Sequence, residues 1–442
     1  MTVRDGGMGL ISEGASWPIR VMVVDVEQPP ELIEATRPAG GVYRGLWLLV
    51  RLGGQPRALA KLDLPPEGIT AQALAPHLRD ALAGIATPAP MRLPDPPPTI
   101  SIVISSLFER EPELRACLES LSALDYPSFE VLLVDNRRGE LRPAPGWLAE
   151  FRRVRVLAEQ RPGLAAGRNR GLRDAAGELV VFTDDDVTVD PGWLTAYARR
   201  FTEHPEESAV SGLILPNGVE TAAHMRIEEY YGGYGRRLFQ PLSHRLERPA
   251  HRRGLHSPTV VALDDDGRVV QRFSLYEGGK LGSGANIAFR TAVMRSMGGF
   301  DMRLGIGTPG RSGEDLEIMA RLAWRGDSVG FEPAAFVLHS DRDDDAALQH
   351  KLIYYGCGFT AVLVALIAED PRHVGAMLCT LPVGVGRLSR YFVRRIGRRS
   401  PAGDGGGDVA SVARLARLEM RGMMTGPGAF LRSARQERRD YS

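Results

Sequence analysis

From residue 100 to about 345 the chain alternates apolar strand-like runs with amphipathic helical ones. No other feature restricts its fold as much. "TISIVISS", built around the apolar run Ile102-Val103-Ile104, reads as a strand covered on both faces. "EPELRACLESLSAL" then puts Leu114, Cys117, Leu118, Leu121 and Leu124 on one helical stripe, with Pro112 near its start. "FEVLLVDN" predicts the second strand and "GLAAGRNRGLRDAAG" a helix stopping at Gly177. "ELVVFTD" predicts the third strand, and "PGWLTAYARRF" a third helix capped by Asp190. Repeated strand–helix–strand units imply right-handed crossovers and a mainly parallel sheet, so the expected class is α/β. Ligands of such sheets sit beyond the carboxyl ends of the strands.

At 442 residues the chain exceeds one ordinary core. "TPAPMRLPDPPPT" (87–99) can continue neither helix nor sheet and reads as a stiff linker. Residues 1–86 are expected to form a small α+β domain from "RVMVVDV", "GLWLLVRL" and the helical "ITAQALAPHLRDALAGI". Residues 100–345 are the α/β domain, and 346–442 a helical, basic region broken at "SPAGDGGGD" (400–408). A net charge of +1 gives no global electrostatic case for nucleic acid. Cys117, Cys357 and Cys379 form no CxxC pair and fit a reducing compartment. "MTVRDGGMGLISEG" has no apolar signal-peptide region, and "FTAVLVALIA" (359–368) and "VGAMLCTLPVGVG" (374–386) are too short to span a bilayer. A cytoplasmic protein is expected. "LSRYFVRRIGRR" (388–399), with five arginines and no acid, reads either as a peripheral contact with the inner face of the cell membrane or as an ordinary solvated helix face.

The triplet Asp-Asp-Asp occurs three times. Asp264-Asp265-Asp266 precedes Gly267 between two strand-like runs, the signal of a hairpin turn. Asp343-Asp344-Asp345 precedes a helical run, where aspartate serves as cap and dipole partner. Asp184-Asp185-Asp186 ends a buried strand. Side chains at i and i+2 of an extended segment point the same way, so Asp184 and Asp186 converge while Asp185 turns aside. Two convergent carboxylates at a ligand-binding edge suit Mn²⁺ or Mg²⁺ completed by phosphate oxygens and water. Another cap or turn remains the alternative.

Several motifs in order extend the pattern: "ISIVISSLFEREPELRACLESLSALDYPSFEVLLVDN", "RPGLAAGRNRGLRDAAGELVVFTDDDV", "GSGANIAFRTAVMRSMGGFD" and "SGEDLEIMARLAWRGDSVGFEPAAFVLH". Together they make residues 100–345 resemble a family 2 glycosyltransferase with the GT-A fold. The opening departs from that family in having Ser-Ser-Leu-Phe after the first strand and Val-Asp-Asn in place of Val-Asp-Asp. The resemblance implies an inverting, metal-dependent transfer from a nucleotide-diphospho-sugar to a hydroxyl acceptor, which is a glycan, a lipid-linked or cell-envelope glycan, or a small molecule. It puts Asp135, Arg168, Asp184, Asp185, Ser283 and Asn286 on the nucleotide-sugar and Asp184, Asp186 and His339 on the metal. Glu314 and Asp315 become the catalytic acids, Asp315 as general base.

Each role has a plainer alternative. Arg168 shares its helix with Arg170 and Arg173. Ser312 with an acid three residues on is close to a capping box. Gly282 and Gly284 around Ser283 fit a bulged strand as well as a substrate approach. His339 can be a simple polar strand end. Trp193 and Trp324 are expected in packing, and the segment 224–258 is expected as an acceptor-side loop. A sugar-nucleotide pyrophosphorylase-like enzyme would want a glycine-rich phosphate loop after the first strand, and "SSLFEREPE" has none. A non-catalytic nucleotide-sugar binding protein would not keep Asp184, Asp186 and Asp315 together.

Overall fold

A computed structural model describes residues 17–139, 143–231, 237–247, 257–342, 345–396 and 412–441. The arginine side chains expected to meet a membrane, Arg390, Arg394, Arg395, Arg398 and Arg399, lie outside what it describes, as do Asp343 and Asp344.

The N-terminal part contains β1 (Ile19–Asp25), β2 (Leu32–Ile33), β3 (Gly45–Leu52), β4 (Gln55–Asp63), β5 (Ile69–Thr70) and α1 (Ala71–Ala81). β1 runs parallel to β3, and β3 antiparallel to β4. The run "GLWLLV" of β3 is buried throughout, with Leu74 and Leu78 of α1 completing its core. No helix or strand occurs between residues 85 and 99, as the prolines dictate. The N-terminal sheet packs directly on the central region of the chain. Ile19 and Val219 exchange backbone hydrogen bonds of 2.9 and 3.2 Å. Leu49 packs with Leu213, Leu215 and Phe336.

The central region runs β6 (Ile100–Ser106), α2 (Glu111–Ser122), β7 (Phe129–Asp135), β8 (Val154–Ala158), α3 (Leu164–Asp174), β9 (Leu179–Thr183), β10 (Val187–Val189), α4 (Trp193–Glu203) and β11 (Glu207–Pro216). It continues as α5 (Ala222–Tyr231), β12 (Leu242–Leu246), β13 (Thr259–Leu263), β14 (Val269–Ser274), β15 (Asn286–Arg290), α6 (Thr291–Ser296), α7 (Glu314–Arg325) and β16 (Ser328–His339). These strands form one 11-stranded sheet in the order β14-β13-β12-β16-β11-β15-β9-β6-β7-β8, with β10 beside β16. Its core is mainly parallel, as expected. β8, β7, β6, β9, β11 and β16 share one direction, and β15 runs against its two neighbours. β12 to β14 add an antiparallel edge. β9 and β11 are buried along their whole length, which explains the apolar run LVVF of β9; β11 also buries Glu207, Ser208 and Ser211, and its Glu207 is paired with Arg200. Leu114, Cys117, Leu118 and Leu121 of α2 are buried against one face, each such leucine contributing roughly 1.5–3 kcal/mol. The helices α8 (Asp345–Glu369), α9 (Arg372–Ile396) and α10 (Val412–Tyr441) complete the chain.

Some local expectations are corrected. α3 ends at Asp174, not Gly177. Gly177 instead passes β6 so closely that a Cβ would lie 2.5 Å from the Ser101 nitrogen. Gly192, not Asp190, caps α4. Asp190 accepts the Gly192 N–H at 2.8 Å and is held by Arg51 at 2.8 Å, a partner that no local pattern reveals. The 224–258 segment is not all loop, because Ala223 and Ile227 of α5 find a core with Leu348, Leu352 and Leu415, and β12 joins the sheet. α8 is long and apolar enough by length and composition to cross a membrane, which the run 359–368 alone is not. It packs along α10 and against α7, and Leu352, Cys357, Ala361 and Ala365 are buried there. The Asp264–Asp266 triplet is the expected turn, closed by Gly267 at φ 76°.

Candidate active site

The chain leaves β9 at Thr183, turns through the aspartates, and re-enters the sheet as β10, antiparallel to the end of β16. That pairing sets Val187 opposite His339, and the Ser340 N–H donates to the Asp186 carbonyl at 2.9 Å. His339 Nε2 therefore lies 3.3 Å from Asp186 Oδ1. Asp184, Asp186 and His339 offer ligand atoms that all lie within 4.8 Å of one another. The other such group among the described residues is His204, Glu206 and Glu207, whose Glu207 is already closed in a buried pair with Arg200 at 2.5 Å.

Asp185 turns aside, as the strand geometry requires, and accepts the Ser106 hydroxyl at 2.5 Å. Burial pushes its carboxyl up to about 6. The Ser106 hydrogen bond opposes that rise, and Asp186 and Asp184 add to it. Burial also raises Asp186, against the pull of His339 and Arg110. Two oxygen donors and one imidazole, close together beside a further acid, fit a divalent cation, and the nitrogen favours Mn²⁺ over Mg²⁺.

Arg168 ties the site together. It is 1% exposed, and its guanidinium donates to Glu314 Oε1 at 2.8 Å, Asp184 Oδ1 at 2.8 Å and the Gly284 carbonyl at 3.0 Å. Its helix neighbours do nothing comparable: Arg170 pairs with Asp174 and Arg173 with Glu159 at the surface. Gly284 has no side chain because the arginine occupies that space; a Cβ there would lie 2.5 Å from Arg168 Nη1.

The start of α7 supplies the second acidic pair. The capping-box reading fails in detail. Gly313, left-handed at φ 97°, is the cap, and the Ser312 hydroxyl donates instead to the Tyr354 carbonyl. Asp315 Oδ1 accepts the Leu316 N–H and Oδ2 the Gly284 N–H, each at 2.8 Å. Glu314 is buried against Arg168. Burial pushes its carboxyl up to about 7, with the Asp315 charge adding and Arg168 opposing.

Asp184, Asp185, Asp186, Arg168, Ser283, Glu314, Asp315 and His339 all border one cavity of 1740 Å³. Two expected site residues do not. Asp135 is turned onto Arg137, which it grips at 2.6 Å, and the neighbouring Asn136 lines the cavity in its place. Asn286 is 0% exposed and core-bound: its amide accepts from Trp193 and Tyr197 and donates to the Leu213 and Ala335 carbonyls. An inward-facing strand position looks the same in sequence whether it meets ligand or core. Arg110 is a site residue that sequence reasoning misses. It donates to Asp186 Oδ2 at 2.6 Å and to the Ser340 carbonyl at 2.9 Å. Its one sequence signal is its place just after the first strand, at the carboxyl edge. Lys351 and Arg311 carry no signal of that kind, because α8 and the 302–313 loop reach the site only in three dimensions.

Residues 101–262 match the profile of the family described as Glycosyl transferase family 2. The pre-mycofactocin glycosyltransferase of Mycobacterium tuberculosis is 25% identical over 369 residues, covering 78% of this chain and 69% of that protein. The glucosyl-dolichyl phosphate glucuronosyltransferase of Haloferax volcanii is 25% identical over 135 residues, 30% of this chain and 43% of that one. This chain spans less than half the length of the first curated relatives it matches. Among solved structures, the mannosyltransferase PcManGT from Pyrobaculum calidifontis, in complex with GDP-Man and Mn²⁺, is similar at a TM-score of 0.41 and 15% identity, over 78% of this chain and 88% of that one.

Proposed function

This chain carries a family 2 glycosyltransferase segment, and from that premise we propose that it moves a sugar, with inversion, from a nucleotide-diphospho-sugar to an acceptor hydroxyl. The observation that carries the reading is the convergence of Asp184, Asp186 and His339 within 4.8 Å in the cavity that Asp315 also borders. A divalent cation held by these three side chains would neutralise the charge that develops on the departing diphosphate. Arg110, already bonded to Asp186, brings a second positive charge to the same edge. Asp315 is oriented by the Gly284 and Leu316 N–H groups and takes the proton of the acceptor hydroxyl. The hydroxyl oxygen then forms its bond to the anomeric carbon while the bond to the diphosphate breaks, and the electron pair leaves with the diphosphate. One base and one direct displacement give inversion. Arg168 fixes the relation between Asp184 and Glu314, so the metal-side and base-side acids keep one geometry.

The test is hydrolysis of a panel of nucleotide-sugars by the purified full chain with Mn²⁺, in the native protein and in Asp315→Asn. The substitution is nearly isosteric and keeps an oxygen for the Gly284 N–H. Donor affinity and thermal stability should persist while turnover falls roughly 10²–10⁴-fold. Normal turnover in the variant would assign the base elsewhere.

A further inference from the structure

The cavity holds more than a donor sugar needs. At 1740 Å³ it exceeds the roughly 300–1,000 Å³ of an ordinary small-molecule pocket, and the carboxylates account for one end only. The other end is an arm between α8 and α9. Along α8, Ala347, Lys351, Tyr355, Phe359, Leu363 and Ile367 line it at steps of four, a ridge that winds gradually round the helix as it runs along it. At 1.5 Å per residue the row is roughly 30 Å long. Facing it on α9 are Val374, Leu378, Leu381 and Val385, spaced for one helical stripe. These four are 44%, 59%, 50% and 56% exposed, an apolar stripe that no described part of the chain covers.

Polarity changes along the arm. At the end near the carboxylates Lys351 bonds Asp341 at 2.6 Å, and the Arg311 guanidinium lies 4.6 Å from the centre of the Tyr354 ring. Beyond Lys351, no cavity-lining position on α8 or α9 is charged. Arg272, Glu277 and Glu419 of other elements also line the cavity, but the walls that α8 and α9 give it beyond Lys351 carry no charge, and two such walls running from an ionic end suit an amphiphile. A compact ring would fill about one turn of the two rows and leave the others wet.

We propose that the acceptor bears an extended apolar chain, which lies between α8 and α9 and presents its hydroxyl-bearing head to Asp315. This deepens, and rests on, the glycosyltransferase reading above. The probes are butyl, octyl and dodecyl glucosides, each below its micelle concentration, and phenyl glucoside as the compact control. Binding to the full-length protein is measured by calorimetry. Affinity should rise roughly fourfold per buried methylene and level off when the arm is full. Leu363→Trp and Leu378→Trp, each checked for a native unfolding midpoint, should lose at least tenfold of the dodecyl affinity by filling the slot. Asp186→Ala should lose Mn²⁺-dependent donor hydrolysis and keep the chain-length series, which separates this inference from the donor chemistry. If donor hydrolysis is absent but the series rises, the glycosyltransferase reading fails and the chain site stands. Phenyl glucoside binding as tightly as dodecyl, a flat series, or dodecyl binding untouched by both tryptophans would overturn the proposal. So would self-association abolished by Leu378→Arg together with a flat series, since the stripe would then belong to a second copy.

Discussion

Asp186 is shared between an imidazole and a guanidinium: His339 lies 3.3 Å from one oxygen and Arg110 2.6 Å from the other. The same residue type in the same triplet has no such surroundings at Asp265, which is half exposed in the β13–β14 turn and pairs with Arg200 at 3.1 Å. Asp186→Ala is therefore expected to abolish metal-dependent nucleotide binding and transfer, and Asp265→Ala to leave both nearly intact. Equal losses would remove the case for the 184–186 turn. His339→Ala should weaken Mn²⁺ activation by more than the roughly 10–100-fold typical of losing an outer-shell partner. His204→Ala, in the group whose Glu207 is already paired with Arg200, should not change it. A Mn²⁺ titration of activity reads both, and unchanged Mn²⁺ dependence in His339→Ala would leave the aspartates as the protein ligands. Strand-end position and i, i+2 spacing, both local signals, singled out Asp184 and Asp186, while His339 was placed on the metal by the family resemblance. Arg110 escaped sequence reasoning because its meeting with Asp186 depends on how the β6–α2 loop folds back.

Among the elements, the loop before β15 and the start of α7 act through one contact. Gly284 presents its carbonyl to Arg168 and its N–H to Asp315, and leaves room for the guanidinium. Gly284→Ala would push a methyl to 2.5 Å from Arg168 Nη1, with backbone on one side and two acids on the other. Displacing the arginine leaves Glu314 buried and unpaired, which costs up to about 3–5 kcal/mol. Gly267→Ala is the comparison: its Cβ would meet nothing within 4 Å, so its left-handed φ of 76° should cost only roughly 1–2 kcal/mol. Denaturant unfolding of the two variants checks the order, and a larger loss at Gly267 would contradict the packing argument. The glycines of "GSG" were visible in sequence as places of close approach. That the approaching group is Arg168 of α3 at Gly284 and Ser211 of β11 at Gly282, and not substrate, is decided by how these elements cross. α7 shows a similar limit. Its buried face includes Ile318, Met319 and Leu322, while Leu316 turns toward the cavity, a rotation that the apolar spacing alone does not distinguish.

For the molecule as a whole, buried acids make folding pH-dependent. Burial pushes Glu317 up to about 7, with Arg321 opposing, and its Oε2 has no hydrogen-bond partner among the described residues. A carboxyl whose folded value lies above its ordinary one stabilises the fold below that ordinary value, and the gain is lost as pH rises through about 7. Stability should therefore fall between about pH 4.5 and pH 7, with this group contributing at most about 1.4 kcal/mol per pH unit. Glu317→Gln should flatten that part of the curve. Urea denaturation across the range measures it, and an unchanged slope would show that Glu317 is ionised in the folded protein.

The sequence by itself determined the elements and their class. Apolar continuity marked buried strands, the 3.6-residue stripe marked helices, and aspartates at strand ends marked the ligand edge, because each signal is carried by neighbours along the chain. It also separated the Asp264–Asp266 turn from the Asp184–Asp186 site, since Asp-Gly between strands is a local pattern. Only the tertiary structure decided which inward-facing residues meet the cavity. Asn286 is held in the core by Trp193 and Tyr197, Asp135 by Arg137, while Arg110, Ser106 and Lys351 reach the site. Those assignments depend on crossings between segments up to 230 residues apart, as for Arg110 and Ser340. The same holds for the arm between α8 and α9. Each helix reads as an ordinary apolar segment, and the slot between them exists only because α8 packs along α10 and leaves its opposite row facing α9.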